Sequence, residues 1–464
     1  MTTLRDLDLI LGRVRSLLAE GDVEGAAAAI AALRPDAAAG VVAALHPADG
    51  ADVLEELEPE ERAEVVEELA PRAGADVLVE LDETERAEVA SRLDAESLSE
   101  FLDEMAPDDA ADVLQELDEG KAEAALAEME EPDEIRELLA HEEDSAGGLM
   151  IPHVITFRGS MTAAQAIEIL RRNRPDEETA YYLFVTDDAE RLIGVVSLRR
   201  LVVAPPEARL AEFMQHDLIT ADVHTDQEEC ARILAKYDLL ALPIVDDDQR
   251  LVGVVTADDV IDVLEEEATE DIYHLANVSA EEDVSDSVVT ASRRRLLWLM
   301  VNLPTAVLAA VVVSFFEGTI EQVAVLAVFA PLITGMGGNA GIQTLTLIVR
   351  SIALGQLGLR DGWHTLRREL MVGLVNGICF GVLVAAIGYV WKGLPILGLV
   401  AGLAMLANML MAAIAGTIVP LFLKFIKADP ALASGVIVTT FTDITGATAF
   451  YGLATLLLRY FVVS

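Results

Sequence analysis

Asp443 is a carboxylate in a stretch where ionised side chains are rare. Val436–Leu458 (VIVTTFTDITGATAFYGLATLLL) reads as a membrane-spanning helix, with no Lys or Arg before Arg459. An ionised group at hydrocarbon depth costs several kcal/mol unless it faces water, a cation or a partner, so it marks an ion or substrate path. On a helix, the neighbours one turn away are Thr439, Thr440, Gly446 and Ala447. That small, hydroxylic face suits a narrow, wet lumen and leaves Val438, Phe441 and Tyr451 for other surfaces. The bland alternative is a protonated or hydrogen-bonded structural Asp.

A second chemistry-bearing run is PLITGMGGNAGIQTLTLIVR (Pro331–Arg350), with Gly335, Gly337, Gly338, Gly341, Asn339 and Gln343. Asn339 and Gln343 are four apart and share a helix face. Each glycine weakens a helix by about 1 kcal/mol relative to Ala. The run therefore predicts exposed carbonyls and local room. Irregular backbone at this depth is tolerated only where protein or a water-filled cavity lines it.

The elements that position these residues are apolar stretches at about 296–316, 322–349, 370–391, 394–423 and 434–458. Each reaches the ~20 residues needed to cross a bilayer. Arg293–Arg295, then Arg350, Arg360, Arg367 and Arg368, then Lys424 and Lys427 mark one side; Lys392 and Arg459 fall on the other. That asymmetry predicts a cytoplasmic N-terminal region and an outside C-terminus in a plasma (inner) membrane, surrounded by lipid. Gly373, Gly377 and Gly381, and the row Ala404, Asn408, Ala412 and Gly416, predict close helix packing. Asn302, Asn376 and Asn408 are read as packing residues that hydrogen-bond between helices.

Charge divides the chain of 464 residues. From Arg293 onward there are 11 Lys+Arg and 6 Asp+Glu, a net of +5; the preceding 292 residues hold 21 and 73, a net of −52. Such acidity excludes nucleic acid, which needs a cationic footprint, and favours solubility or cation binding. Within the acidic region Leu57, Leu69, Leu81, Leu93, Met105, Leu117 and Met129 recur every twelve residues, as do Val53, Val65, Val77, Val89, Phe101 and Val113. Two short helices per 24 residues give a helical-repeat stack with one buried face.

Residues 146–265 hold a second repeat. AAQAIEILRR then YYLFVTDDAERLIGVVSLRRLV is matched by QEECARILAKY then LALPIVDDDQRLVGVVTADDVIDVL. This resembles a tandem pair of cystathionine-β-synthase (CBS) motifs. The resemblance implies that a Thr-x-x-Asp after the last strand can hold a ribose. Thr256 and Asp259 fit that pattern and allow a nucleotide such as ATP; the first copy has Ser197 followed by Arg200 and lacks it. From Ala257 to about Asn277 the pattern is helical. Val260, Leu264, Ala268 and Ile272 line one face; Asp259, Asp262, Glu266 and Glu270 line another. Like charges at this spacing destabilise a helix until cations neutralise them.

The whole chain resembles the MgtE family of magnesium channels and transporters. The order matches: an acidic helical N-domain, paired CBS motifs, an acidic connecting helix and a five-span membrane domain. GMGGNAGIQTLTLIVR and DPALASGVIVTTFTDITG carry the resemblance most specifically. It implies a homodimer with a cation pore on the two-fold axis. Asp443 and Asn339 match pore residues, and Thr439, Thr440 and Gly338 lie beside them. It implies that the connector is a plug that closes when cytosolic Mg²⁺ is abundant. By that match Asp226, Glu228, Asp238, Asp259, Asp262, Glu270 and Asp271 are regulatory Mg²⁺ ligands. One departure is Gly435-Val436, where the family pattern has Asn-Pro, so the pore contact of that Asn side chain is absent.

The expected fold class is therefore multi-domain. An all-α acidic repeat covers residues 1–140, an α/β CBS pair 141–258, a connecting helix and linker 259–292, and a five-helix transmembrane domain 293–464. The expected function is passive, Mg²⁺-selective entry of the hydrated ion, closed by cytosolic Mg²⁺. Two alternatives stand beside it. A transporter for Mn²⁺ or Co²⁺ would favour nitrogen or sulfur ligands, and the membrane region offers only His364 and Cys379. A non-transporting receptor for cations or nucleotides would need no Asp443. No GxxxxGK[ST], HExxH or nucleophile–base constellation is present, so the chain reads as no enzyme. Cys230 and Cys379 fit no disulfide or metal spacing.

Overall fold

The structure is a computed structural model that describes residues 4–173, 181–279, 282, 287–432 and 434–457. Arg459 therefore lies outside the described residues. The chain divides into two units, Met1–Val263 and Leu264–Ser464.

The first unit opens with short helices: α1 (Leu4–Ala19), α2 (Val23–Ala31), α3 (Pro35–Val42), α4 (Pro47–Glu55), α5 (Pro59–Glu67), α6 (Pro71–Val79), α7 (Glu83–Arg92), α8 (Ala95–Leu102), α9 (Pro107–Gln115), α10 (Glu119–Glu128) and α11 (Pro132–Leu138). From α4 to α10 they start every twelve residues, as the spacing predicts. Proline opens α4, α5, α6 and α9, where its fixed φ suits the first turn and its missing N–H costs nothing. Asp94 starts α8 instead, accepting from Ser97 N at 2.8 Å. Each helix packs against the one two places on, so α4 meets α6 and α5 meets α7. The valines at 53, 65, 77, 89 and 113 and Phe101 are buried. Arg62 is buried too. It donates to Leu54 O at 2.9 Å and Glu55 O at 2.7 Å, satisfying carbonyls that α4 leaves open at its end.

The second internal repeat forms two sheets. β2 (Thr156–Arg158), β3 (Tyr182–Thr186) and β4 (Leu192–Ser197) make one, in the order β2-β3-β4. The other has the order β1-β7-β6-β5, from β1 (Ile151–Pro152), β5 (Ala221–Asp222), β6 (Ala241–Val245) and β7 (Leu251–Thr256). β1 belongs to the first copy in sequence yet pairs with β7 of the second, Ile151 opposite Val254. Helices α12 (Ala163–Asn173), α13 (Leu198–Val203), α14 (Leu210–Phe213) and α15 (Gln227–Tyr237) complete the pair. The connector is α16 (Asp259–Ala276).

In the second unit, α17 (Val288–Ser314), α18 (Glu317–Gln322), α19 (Leu326–Ala353), α20 (Gly362–Lys392), α21 (Pro395–Phe425) and α22 (Ser434–Leu456) follow. Among the described residues four segments are long and apolar enough to cross a membrane: Val288–Ser314, Leu326–Ala353, Leu359–Lys392 and Pro395–Phe425. The expected fifth, α22, is a helix of 23 residues and long enough, but it is not among these four. α19, α20 and α22 all pack against α21. A Cβ on Gly373 would stand 2.9 Å from Met409 O, and one on Gly381 2.8 Å from Gly402 O. These glycines let α20 and α21 touch backbone to backbone, as their spacing predicts.

The glycines of α19 do not break it: the helix runs unbroken from Leu326 to Ala353. Gly337 leaves space that the Asn408 side chain fills, and a Cβ on Gly341 would meet Val438 at 2.6 Å. The expected irregular backbone is absent because these glycines serve contacts with α21 and α22.

Candidate functional site

A cavity of about 330 Å³ is lined by Asn277, Asn302, Thr305, Ala306, Ile342, Gly435, Val436, Thr439, Thr440 and Asp443. It brings together one side of α22, the middle of α17, one residue of α19 and the residue just past α16. Asp443, Thr439 and Thr440 thus share one space, as the helical spacing predicts. Among the described residues no basic side chain pairs with Asp443.

The hydroxyls have a consistent polarity. Thr439 donates to Gly435 O at 2.9 Å, Thr440 to Val436 O at 2.6 Å, and Thr305 to Asn302 O at 2.7 Å. A hydroxyl has one hydrogen and two lone pairs, so each threonine keeps acceptors free once its hydrogen is held by the helix. The wall is therefore rich in oxygen acceptors around one carboxylate. Six waters around an octahedral ion occupy about 180 Å³ at ~30 Å³ each. The cavity has room for a small hydrated cation.

Gly338 lies against α22: a Cβ there would stand 3.8 Å from Thr439 Cγ2 and 3.9 Å from Thr442 Oγ1. Asn339 is outside the cavity. It is exposed on α19, in a row with exposed Gln343 and Thr346. The spacing argument put Asn302 among packing residues, but it lines the cavity with Asp443. Asn408 does pack: it is fully buried and donates to Ile333 O at 2.8 Å.

The end of the connector reaches the same space. A Cβ on Gly435 would stand 3.5 Å from Leu275 O and 3.7 Å from Asn277 Nδ2. Asn277 Oδ1 is buried with no hydrogen-bond partner. Asp429, which the sequence pattern did not single out, joins Asp271, Glu270 and His274. His274 Nδ1 is 3.1 Å from Asp429 Oδ2 and 3.5 Å from Glu270 Oε1. Burial, with Asp429 and Glu270 nearby, pushes Asp271 up to about 6. The signal available in sequence was Asp-Pro directly before the last span, a common turn start.

A second acidic group lies in the first unit. Asp108 is buried, with one carboxylate oxygen lacking a partner. Burial, reinforced by Asp259 and Asp109, holds its carboxyl well above the usual range. Burial likewise raises Asp259, and pushes Asp112 up to about 7 against the opposing pull of Arg86. Asp259 accepts from Thr256 Oγ1 at 2.6 Å and from its N–H at 3.2 Å. Both residues of the Thr-x-x-Asp pattern therefore face each other.

Three of the remaining expected ligands, Asp226, Glu228 and Asp238, lie at the two ends of α15. Asp226 caps α15 by accepting from Glu228 N at 3.0 Å. Asp238 ends α15 in the left-handed region at φ 52. Asp262 follows Asp259 by one turn of α16. Among the described residues no three His, Cys, Asp or Glu side chains converge as a metal centre.

Residues 330–453 match a family model described as a divalent cation transporter, MgtE; residues 45–144 match the MgtE intracellular N domain; residues 146–207 and 210–266 match CBS domains. The magnesium transporter MgtE of Thermus thermophilus is 41% identical over 332 residues, covering 70% of this chain and 73% of that one. That of Enterococcus faecalis is 36% identical over 333 residues, covering 72% and 73%. A crystal structure of the cytosolic domain of the Mg²⁺ channel MgtE in complex with ATP aligns with a TM-score of 0.47 and 39% identity, over 55% of this chain and 99% of that one.

Proposed function

The chain belongs to the MgtE family of magnesium transporters, and from that premise we propose that it is a Mg²⁺ channel with Asp443 as its ion-selecting carboxylate. The observation that carries this is the cavity in which an unpaired Asp443 meets three threonines that offer only acceptors. Mg²⁺ gives up water reluctantly and prefers oxygen. A carboxylate and hydroxyl lone pairs hold it through its waters without trapping it, as conduction requires. The cavity offers no sulfur or imidazole, which favours Mg²⁺ over Mn²⁺ or Co²⁺. Nothing in the site couples flux to a chemical step, so the gradient and membrane potential drive it. The potential supplies about 2.3 kcal/mol per charge per 100 mV, doubled for a divalent ion. Mg²⁺ uptake into liposomes tests this: Asp443→Asn should lose most of the flux, and uptake equal to wild type would end the proposal.

The working unit is a homodimer whose fifth span is α22, with α17 and α19–α21 as the others. The exposed polar residues Asn339 and Thr346 on α19 support this, since polar side chains facing lipid find partners when a second copy covers them. The N-terminal domains lie in the cytoplasm by the positive-inside rule, and the same rule puts the C-terminus outside.

Closure by Mg²⁺ acts through the acidic groups. Asp271, Glu270 and Asp429 form one set around the end of the connector; Asp108, Asp112, Asp259 and Asp262 form another. Asp226, Glu228 and Asp238 are further ligands on α15. Their like charges repel until divalent ions bridge them, which favours the compact state to the extent that it binds the ions more tightly. Asn277, beside Gly435, is the part of the plug nearest the path. The Thr256–Asp259 pair is the nucleotide site if ATP tunes closure.

A further inference from the structure

Glu369 is the one acid of α20, and it is buried at 4% exposure. Its contacts are long: Thr344 Oγ1 donates to Oε2 at 3.4 Å, and Arg368 Nη1 stands 3.5 Å from Oε1. Arg368 itself is 64% exposed, so its charge is mostly given to its surroundings. A buried carboxylate is expensive unless well paired, more so beside hydrocarbon. The space next to it is a cavity of about 210 Å³ whose polar lining includes Gln343, Thr344, Arg368, Glu369 and Asn376. α21 forms its floor through Met409 and Ala413. At its sides Leu347 and Val372 are 42% and 44% exposed.

We propose that this cavity binds the headgroup of a phosphatidylethanolamine from the basic-side leaflet. The two charges of that headgroup are complementary to the two adjacent side chains. The primary ammonium donates to Glu369, which accepts only, and to the amide oxygens of Gln343 and Asn376. The phosphate meets the Arg368 guanidinium, whose fork fits phosphate oxygens. Leu347 and Val372 offer an apolar flank to an acyl chain. Glu369 sits at the basic end of α20, just after Arg367 and Arg368, the level at which headgroups lie. A basic pocket alone would favour an anionic lipid; the buried carboxylate changes the preference to a zwitterion with N–H donors. Phosphatidylcholine carries the same charges, but its quaternary ammonium has no N–H and a larger radius. Asp443 and its cavity play no part in this site; it rests only on the membrane placement of α20 argued above.

The test is native mass spectrometry of the full chain in detergent with equal amounts of dioleoyl phosphatidylethanolamine and dioleoyl phosphatidylcholine. The wild type should retain phosphatidylethanolamine in about tenfold preference, the size of one charge-assisted contact. Glu369→Gln should abolish the preference, and Arg368→Ala should weaken retention of both lipids together. Should Glu369→Gln fail to fold, Asn376→Leu, which fills the cavity with an apolar group, should abolish it instead. Equal retention of the two lipids by the wild type overturns the inference. So does an undiminished preference in Glu369→Gln or Asn376→Leu. Loss of the lipid on adding millimolar Na⁺ or Mg²⁺, or soluble phosphorylethanolamine, also overturns it, because a small solute then occupies the site. A wild type that carries Mg²⁺ but shows no lipid preference fails this inference and leaves the transport proposal standing.

Discussion

His274 Nδ1 stands 3.1 Å from Asp429 Oδ2, so the last turns of α16 are tied to the loop that enters α22. Asp429 also accepts from Ala431 N at 2.8 Å and Leu432 N at 3.0 Å, which fixes the carboxylate at the start of the helix that carries Asp443. Asp429 thus ties the connector to the helix that lines the cavity, beside the direct approach of Asn277.

Asp429→Asn can keep the contact from Ala431 N through its amide oxygen, gives up the one from Leu432 N, and removes the charge. The Mg²⁺ concentration that halts flux should rise about tenfold, the loss of one charge-assisted contact. Flux measured against Mg²⁺ on the connector side checks this. An unchanged closing concentration would remove Asp429 from the regulatory set.

Thr440→Val preserves the branched shape and removes the hydroxyl. Its hydrogen bond to Val436 O is local to the helix, so the fold should persist. Flux should fall about threefold to tenfold, the range for one ordinary hydrogen bond. Thr305→Val, on the opposite wall, should act in the same direction. If both variants carry Mg²⁺ at the wild-type rate, the lone pairs have no part in conduction.

Proton linkage gives a pH prediction. Asp271 is pushed up to about 6 and Asp112 up to about 7, with burial as the main cause. The folded chain then holds more protons than the unfolded chain above the ordinary Asp value of about 3.9. Without divalent ions, stability should be greatest at low pH in this window and fall as pH rises through about 7. Thermal unfolding in EDTA should therefore occur at a lower temperature at pH 8 than at pH 5.5. Mg²⁺ should raise the pH 8 transition most, where the carboxylates are ionised. An identical Mg²⁺ effect at both values would contradict this.

Gly377→Val tests the close approach of α20 and α21. A Cβ there would stand 2.6 Å from Leu406 Cδ1 and 3.2 Å from Leu406 Cα. Overpacking of this kind costs about 1–3 kcal/mol. Gly120→Ala is the contrast: it sits within α10 with nothing within 4 Å of a new Cβ. That change should stabilise by about 0.5–1 kcal/mol. Thermal unfolding in detergent reads both; a tolerated Gly377→Val would show that the helices can separate freely.

Much of this was readable from residues because the signals are local and repeated. The twelve-residue rhythm of Val53, Val65 and Val77 predicts short helices, and proline after an extended residue marks their starts. Thr439, Thr440 and Asp443 fall together because helical spacing alone decides which side chains share a face. What was hidden is tertiary. Asn302 on α17 and Asn277 just past α16 reach the Asp443 cavity, and no spacing rule connects them to α22. Asp429 is a single residue in a turn. The α19 glycines suggested broken backbone, since propensity cannot say whether a neighbouring helix repays the loss; Asn408 and Val438 do so here.

The pairing of Ile151 with Val254 stitches the two sensory halves together. A protein cut between the copies would strand a raw edge on the second sheet, exposing unpaired amides and carbonyls to other chains. The two halves are therefore joined through one shared sheet.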